Sequence, residues 1–486
     1  MRKSIQFKLK FCVMLIAIVF TSNVFAVQTE KKQIIYVDFD DQADVAHAQL
    51  QLLKKMDVLG MNVKEHWAEV FVTPAELLQL QKQNLHIRKA NYTLQKLAES
   101  IQGYMTPTQV RQALTDVNAR YPTITKLFEA GKTHQDRPIM ALEISANPGD
   151  TNKPVALFNG MHHAREVMTP EVIMHIAKVL TEQYGNDAEI TYWLDHFRVV
   201  LVPQVNPDGN ALVADGHLMW RKNTYKFDGD IVGVDLNRNY PSYWNYCDGS
   251  SGDPYNETYR GPAAGSEPET QAMMHLVETL KPVVDISYHS YSELILYPNG
   301  CLSVNNPAKD LFQSIGESMN AKIRNDANQT HAYEVGPVAE VIYEADGSDL
   351  DWQWREHGVF AFCIEVNAFS FLPDYNEWRD VTVVRQEGGW RALLTRLSQS
   401  GFRAHVQTSN PNEVRYSLKK IEGLNKLAFD GDAPNRTFAL RSSSGLLYQL
   451  TEPGSYEITF YLGNQLIKTL GVEVGDKMVD LGNIEI

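Results

Sequence analysis

Pro154-Val155-Ala156-Leu157-Phe158-Asn159-Gly160-Met161-His162-His163-Ala164-Arg165-Glu166 carries an apolar run directly into a turn rich in metal-ligating side chains. The run Pro154 to Phe158 reads as a strand, and open α/β sheets place their sites just beyond C-terminal strand ends. Further apolar strands, Arg198 to Val202, Val283 to Ser287 and Phe360 to Val366, alternate with helical stretches, which implies an α/β fold. Two ligand registers are open in the turn. His163 with Glu166 is an i, i+3 pair, and His162 with Glu166 is i, i+4; either pair can converge on one ion, and spacing alone does not choose. A bare His-x-x-Glu is more often a solvated loop pair, so the motif needs a third ligand.

His289 supplies one, because it ends the strand-like run Val283-Val284-Asp285-Ile286-Ser287-Tyr288 and would reach the same sheet edge. Glu365 adds a fourth group. It sits within Phe360 to Val366, where a carboxylate is costly unless paired, hydrogen-bonded or put to chemical use.

Working outward, the N-terminus joins Arg2, Lys3, Lys8 and Lys10 to an apolar run from Phe11 to Phe20 and to Val24-Phe25-Ala26, the pattern of a secretory signal peptide over 1–26. The run is short for a bilayer, and no later segment approaches the roughly 18 apolar residues of a membrane helix. Acidic residues outnumber basic ones 59 to 45 for a net charge of −14, which argues against nucleic acid and anionic membranes as partners. With 486 residues, two or three domains are expected.

Residues 27–100 alternate short elements, Gln33 to Phe39, Val45 to Met56, Trp67 to Val72, Thr73 to Asn84 and Leu85 to Lys89, as a small α+β module. Thr73-Pro74-Ala75-Glu76 and Thr106-Pro107-Thr108-Gln109 are capping-box helix starts, the second opening the main domain over 101–400. Over 401–486 the texture becomes short alternating strands. Tyr456, Ile458, Phe460 and Leu462 share a face and Gly463-Asn464 makes a hairpin turn before Leu466 and Ile467, as in a small β-sandwich. Cys247 and Cys301 lie in Gly/Asn/Pro-rich surroundings and are the expected disulfide, with Cys363 buried in its apolar run. No Cys-x-x-Cys pair suggests a structural thiolate zinc site.

His163-Ala164-Arg165-Glu166, Gly233-Val234-Asp235-Leu236-Asn237-Arg238-Asn239, Tyr259-Arg260-Gly261-Pro262, His289-Ser290-Tyr291-Ser292, Ile342-Tyr343 and Phe362-Cys363-Ile364-Glu365 together resemble zinc carboxypeptidases of the A/B type, in order and interval, over roughly Gly103 to Ser398. The resemblance implies a mixed eight-stranded sheet flanked by helices, one Zn2+ per chain, and His163 in preference to His162 beside Glu166 and His289 as ligands; His₂Glu is the ligand set cited generally for carboxypeptidase A.

The resemblance also implies roles. Glu365 would take a proton from the attacking water and hand it to the leaving amine, while Arg221 would steady the oxyanion. Asp235 would orient His163. Asn237 and Arg238 would read the free terminal carboxylate, Tyr343 would close over the terminal residue, and Arg165 would help position substrate. Leu296, Gly300, Val338, Ile342, Ala345 and Leu350 would line an apolar pocket for the terminal side chain, favouring hydrophobic or aromatic residues, although Asp346 or Asp349 turned inward would suit Lys or Arg.

By position and size, residues 27–100 resemble the activation segment of secreted carboxypeptidases, which covers the cleft and implies a zymogen; no obvious processing signal lies between Lys89 and Gly103, so a chaperone or domain that stays attached is the alternative. The signal peptide implies a secreted or periplasmic protein, and the family resemblance implies peptide or protein C-termini as substrate. The competing readings are a zinc amidohydrolase acting on cell-wall peptides or N-acyl amino acids, and a non-catalytic peptide-binding protein.

Overall fold

The computed structural model describes residues 32–486 apart from 39, 41–48, 50, 51, 54, 55, 63–65, 84, 91, 92, 327–332, 369 and 422–435. The expected signal peptide over 1–26 lies outside the described residues, as does most of the expected helix Val45 to Met56, of which residues 49, 52 and 53 are helical. No helix among the described residues is long and apolar enough to cross a membrane.

An eight-stranded mixed sheet organises the centre, in the order Glu334–Pro337, Leu294–Tyr297, Phe360–Val366, Val284–Ser290, Val155–Gly160, Arg198–Val202, Pro138–Ile144, Thr125–Lys132. The middle four strands are mutually parallel, and antiparallel strands close both sides. Parallel strands of this kind are covered on both faces, and the two-residue period divides their side chains between two cores. Ala156, Phe158, Ile286, Tyr288, Phe360, Phe362 and Ile364 enter one core, with the helices Met168–Gln183 and Glu387–Arg396. Val155, Leu157, Ala361, Cys363, Leu294 and Leu296 enter the other, with Pro268–Leu280 and Asp349–His357. Asp285, Ser287, His289 and Glu365 fall by the same alternation on the second face.

The strand bearing His289 runs to Ser290, three residues past the expected end at Ser287, so His289 lies inside the ladder rather than beyond it. Both capping boxes form. Thr73 and Glu76 bracket the helix Pro74–Gln81, and Thr106 and Gln109 bracket Pro107–Arg120.

The N-terminal sheet has the order Asp57–Asn62, Trp67–Val72, Gln33–Asp38, His86–Lys89, around Ile35, Val37, Leu53, Val70, Val72 and Leu80. Asp57–Asn62 is an element the sequence pattern does not reveal. Its pairing slips between Val58 and Gly60, and such a bulge breaks the two-residue alternation by which a strand is recognised.

Residues 401–486 build a three-stranded and a four-stranded sheet. Phe402, Val406, Leu447 and Leu450 of the first meet Tyr416, Ile458 and Phe460 of the second in one core, and the Tyr416 hydroxyl donates to Gln449 Oε1 between them at 2.8 Å. Tyr456, Ile458 and Phe460 are buried as their alternation requires, but Leu462 is exposed. The hairpin register shifts at Phe460/Tyr461 and carries Leu462 out to the turn.

His357 closes the helix Asp349–His357 against this C-terminal region, and burial together with the cations Arg441, Arg415, Lys281 and Arg436 pushes its imidazole down to about 4. The folded state therefore binds fewer protons than the unfolded chain between about pH 4 and 6.5. Stability from this group is complete above the unfolded value and declines as pH falls towards 4. Denaturant titrations at pH 7 and 4.5 should show a loss of about 2 kcal/mol that is absent in His357→Gln; equal pH dependence in the two proteins would exclude His357 as the cause.

Candidate metal centre and cleft

Sheet register assembles the site. His289 pairs with Glu365 across two parallel strands, and Tyr288 pairs with Gly160 on the other side, so the turn after Gly160 arrives at the same edge. Met161 adopts φ +59, an uncommon left-handed conformation outside glycine that turns the chain sharply there. The turn directs the two histidines differently. His162 is buried, faces the Tyr240 hydroxyl at 2.9 Å through Nε2, and stacks on His289. His163 faces Glu166 Oε1 at 2.6 Å and His289 Nδ1 at 3.1 Å, both through Nδ1.

His163, Glu166 and His289 each offer a ligand atom, all within 4.8 Å of one another and all buried. Hydrogen bonding alone does not explain the arrangement. Two imidazole nitrogens face each other, and Glu166 Oε2 lies 3.0 Å from His289 Nδ1 yet has no hydrogen-bond partner of proper geometry. Ligand atoms gathered around a common point, with two imidazole nitrogens facing each other, are what a cation requires, and two imidazoles with one carboxylate suit Zn2+ while leaving a coordination position open. Burial raises the Glu166 carboxyl, but His163 and His289 override it and hold it well below the usual carboxylate range.

The outer nitrogens are secured too. His163 Nε2 faces Asp235 Oδ1 at 3.2 Å and His289 Nε2 faces the Ser287 hydroxyl at 3.3 Å, leaving Nδ1 of each ring for the centre. Asp235 does more than hold one ring. Its Oδ2 accepts from Arg221 Nε at 3.0 Å and Nη2 at 2.7 Å, and its Oδ1 accepts the Asn237 amide at 3.1 Å. Burial penalises the Asp235 charge, but Arg221 and His163 outweigh that and keep it ionised.

Glu365 stands beside His289 on the neighbouring strand, its Oε2 buried without a hydrogen-bond partner. Burial and then the charge of Glu166 push its carboxyl up to about 8.

The remaining expected residues meet around one cleft. The Asn237 side-chain oxygen accepts the Asp349 amide at 3.0 Å, which joins the turn Leu236–Arg238 to the helix Asp349–His357. Arg238 donates to the carbonyls of Gly249 and Asn237, and its guanidinium lies 5.8 Å from the Tyr343 ring. Leu296, Val338, Ile342, Ala345 and Leu350 are buried in one apolar cluster. Gly300 is confined there, since a Cβ would lie 2.2 Å from the Ala345 carbonyl oxygen. Asp346 is spent on loop anchoring, with Oδ2 accepting the amides of Tyr246 and Cys247. Asp349 is turned inward and buried, among the charges that act on His289. Cys247 and Cys301 are joined, with Cα atoms 5.9 Å apart, and Cys363 is free and buried.

The N-terminal sheet closes over this cleft with residues the sequence did not single out. Asp57 Oδ1 accepts from Arg165 Nη1 at 3.0 Å, and the Tyr291 hydroxyl donates to Glu69. A cavity of about 470 Å³ remains beneath, between Met56, Asp57 and Val58 on one side and Arg221, Tyr343 and Glu257 on the other. Periodicity gives no warning of Asp57, because it begins the strand hidden by the bulge.

His134, Glu267 and Glu269 form a second His/acid group. All four carboxylate oxygens there accept hydrogen bonds, from Ser266, His134 and Asn223, so it is a closed polar network.

Fold and site together define a metal-dependent hydrolase class built on a mixed α/β sheet. The zinc carboxypeptidase profile matches residues 110–381, more than half of the chain, and the chain belongs to that family. Carboxypeptidase A1 of Rattus norvegicus is 31% identical over 294 residues, 60% of this chain and 69% of that protein. A metallocarboxypeptidase A-like protein of Trichophyton verrucosum is 33% identical over 261 residues, 52% of this chain and 60% of that protein, so the chain spans about 60% of this fungal relative's length. Among solved structures, carboxypeptidase A from Helicoverpa armigera superposes with a TM-score of 0.65 at 22% identity, covering 75% of this chain and 96% of that one. Thrombin activatable fibrinolysis inhibitor gives 0.65 at 20%, covering 75% and 98%. At those identities the likeness shows the fold.

Replacing Asp235 by Asn keeps the size but gives His163 a neutral partner. Zinc affinity measured by chelator competition should fall about 10- to 100-fold; wild-type affinity would mean that Asp235 does not orient the ligand.

Proposed function

We propose that this chain is a zinc-dependent exopeptidase that removes residues from peptide C-termini. The observation that carries the reading is the convergence of His163, Glu166 and His289 on one point, with Glu365 on the adjacent strand and its Oε2 without a hydrogen-bond partner. Zinc held there supplies Lewis acidity that lowers the pKa of water and polarises a carbonyl.

The protein's own groups do the rest. Glu365, on the strand beside His289 with its Oε2 free of any hydrogen-bond partner, takes a proton from the attacking water and delivers it to the leaving amine. Arg221, fixed by two bonds to Asp235, stands ready for the oxygen on which negative charge develops. Asn237 and Arg238 bind the terminal carboxylate, Tyr343 covers the terminal residue, and Arg165 steadies the chain upstream. The cluster of Leu296, Val338, Ile342, Ala345 and Leu350 supports a preference for hydrophobic or aromatic terminal side chains.

Glu365→Gln should lower kcat about 10²- to 10⁴-fold with one zinc retained, and Arg221→Ala should lower it about 10²- to 10³-fold. A Glu365→Gln protein with zinc and full activity would refute the mechanism. Release of Phe and Leu from otherwise identical short peptides should outpace release of Lys and Arg; the reverse order would assign the pocket to Asp349.

Residues 27–100 serve as an activation segment. Its carboxylates Asp57 and Glu69 engage Arg165 and Tyr291 and so compete with substrate for the cleft. The intact chain should therefore cleave peptides more slowly than the same protein nicked between residues 90 and 103, and Asp57→Ala should narrow the difference; full activity with the segment intact and docked would remove the zymogen assignment. Secretion through 1–26 accords with the Cys247–Cys301 bond, which belongs to oxidising compartments.

A further inference from the structure

The C-terminal sandwich is attached to the catalytic domain through arginines inserted into carbonyl groups. Arg441 is 4% exposed, and its guanidinium makes four hydrogen bonds, all to backbone carbonyls. Nε donates to Tyr448 O at 3.3 Å within the sandwich. The other three cross the interface, Nη1 to Pro282 O at 2.9 Å and His357 O at 3.1 Å, and Nη2 to Gly358 O at 2.9 Å.

Those three carbonyls stand at specific places. Pro282 precedes the strand Val284–Ser290, at whose far end lies His289. Gly358 precedes the strand Phe360–Val366, at whose far end lies Glu365. His357 ends the helix Asp349–His357, whose first turn carries Asp349 and the pocket residue Leu350. The two strand entries are already adjacent, since the Phe360 amide donates to Val283 O at 3.0 Å. One planar guanidinium thus bridges the starting points of both catalytic strands and the end of the pocket helix, where orphan carbonyls and the helix dipole favour a cation.

Neighbouring contacts seal the joint. Arg436 donates to the carbonyls of Trp354 and Arg355 and lies over the Trp354 ring at 4.5 Å. Gly358, at φ +65, is covered by Phe438, whose ring would be 2.5 Å from any Cβ there. Phe402, Tyr448 and Ile458 share one continuous core with Trp390, Leu394 and Phe360. A buried guanidinium satisfied only by carbonyls is expensive to desolvate and tolerates little displacement.

We propose that Arg441 is a positioning residue for the catalytic centre: it sets the offset of the His289 and Glu365 strands and the seat of the pocket helix, which makes the C-terminal sandwich a working part of the hydrolase. The kinetic arm of this proposal rests on the peptidase reading above; the structural arm does not.

The test uses the full chain carrying Arg441→Met, Arg441→Lys and, as control, Arg403→Met, whose exposed pair with Asp480 lies within the sandwich. Zinc content, kcat and KM on a short peptide, and amide hydrogen exchange over 284–290 and 360–366 are measured. Both Arg441 variants should keep one zinc, lose about tenfold in kcat with a smaller change in KM, and exchange faster in both strands, while Arg403→Met behaves as wild type. Lysine should not rescue, because a single ammonium does not reproduce a planar fork spanning three carbonyls. Wild-type kcat and wild-type exchange in a folded Arg441 variant would overturn the proposal. If Arg441→Met does not fold, Arg441→Lys decides on the same readings. The exchange measurement needs no turnover, so a chain that binds zinc without cleaving peptides would sink the peptidase reading and leave this proposal to its own result.

Discussion

Parallel pairing of Val284–Ser290 with Val155–Gly160 on one side and Phe360–Val366 on the other is the constraint on which the rest of the molecule depends. It sets His289 opposite Glu365 and brings the turn bearing His163 and Glu166 to the same edge. A slip of one residue in either ladder would send His289 or Glu365 to the opposite face, because strand side chains alternate with a period of two. Apolar packing enforces the register: Val284, Ile286 and Tyr288 share one core with Ala156, Phe158, Phe360, Phe362 and Ile364, while Val155, Leu157, Ala361 and Cys363 of the flanking strands enter the other. The packed apolar interior therefore fixes where polar chemistry occurs at its rim.

Asp235 ties together the polar groups at that edge. One buried carboxylate holds the outer nitrogen of His163, both donors of the Arg221 fork and the amide of Asn237. Groups proposed for metal binding, oxyanion stabilisation and carboxylate recognition thereby share one anchor. Asn237 extends the network to the pocket helix through the Asp349 amide. From there the helix runs to the carbonyls held by Arg441 and Arg436, so the cleft is connected to the sandwich through backbone hydrogen bonds.

Much of this was legible in the sequence because it rests on local or ordered signals. Capping boxes at Thr73 and Thr106 are written in four residues each, and both form. Phe360 to Val366 announces a buried strand, and a carboxylate inside it is an anomaly that points to function. What escaped detection depended on irregular or distant pairing. The bulge at Val58/Gly60 concealed the strand that carries Asp57, and the shift at Phe460/Tyr461 placed Leu462 in solvent. No local pattern shows that Arg441, remote in sequence from Pro282, ends among that residue's neighbours.

By itself the sequence determined the α/β class, the family motifs and the residue types available for metal and proton chemistry, since all of these follow from periodicity and from ordered chemical groups along the chain. Only the tertiary structure gathered His163 rather than His162 with Glu166 and His289, turned Asp346 to loop anchoring and Asp349 inward, and laid Asp57 and Glu69 on the cleft. Those outcomes turn on side-chain direction and on contacts between segments far apart in the chain. Strand register and packing set both, and neither is encoded in any short stretch of residues.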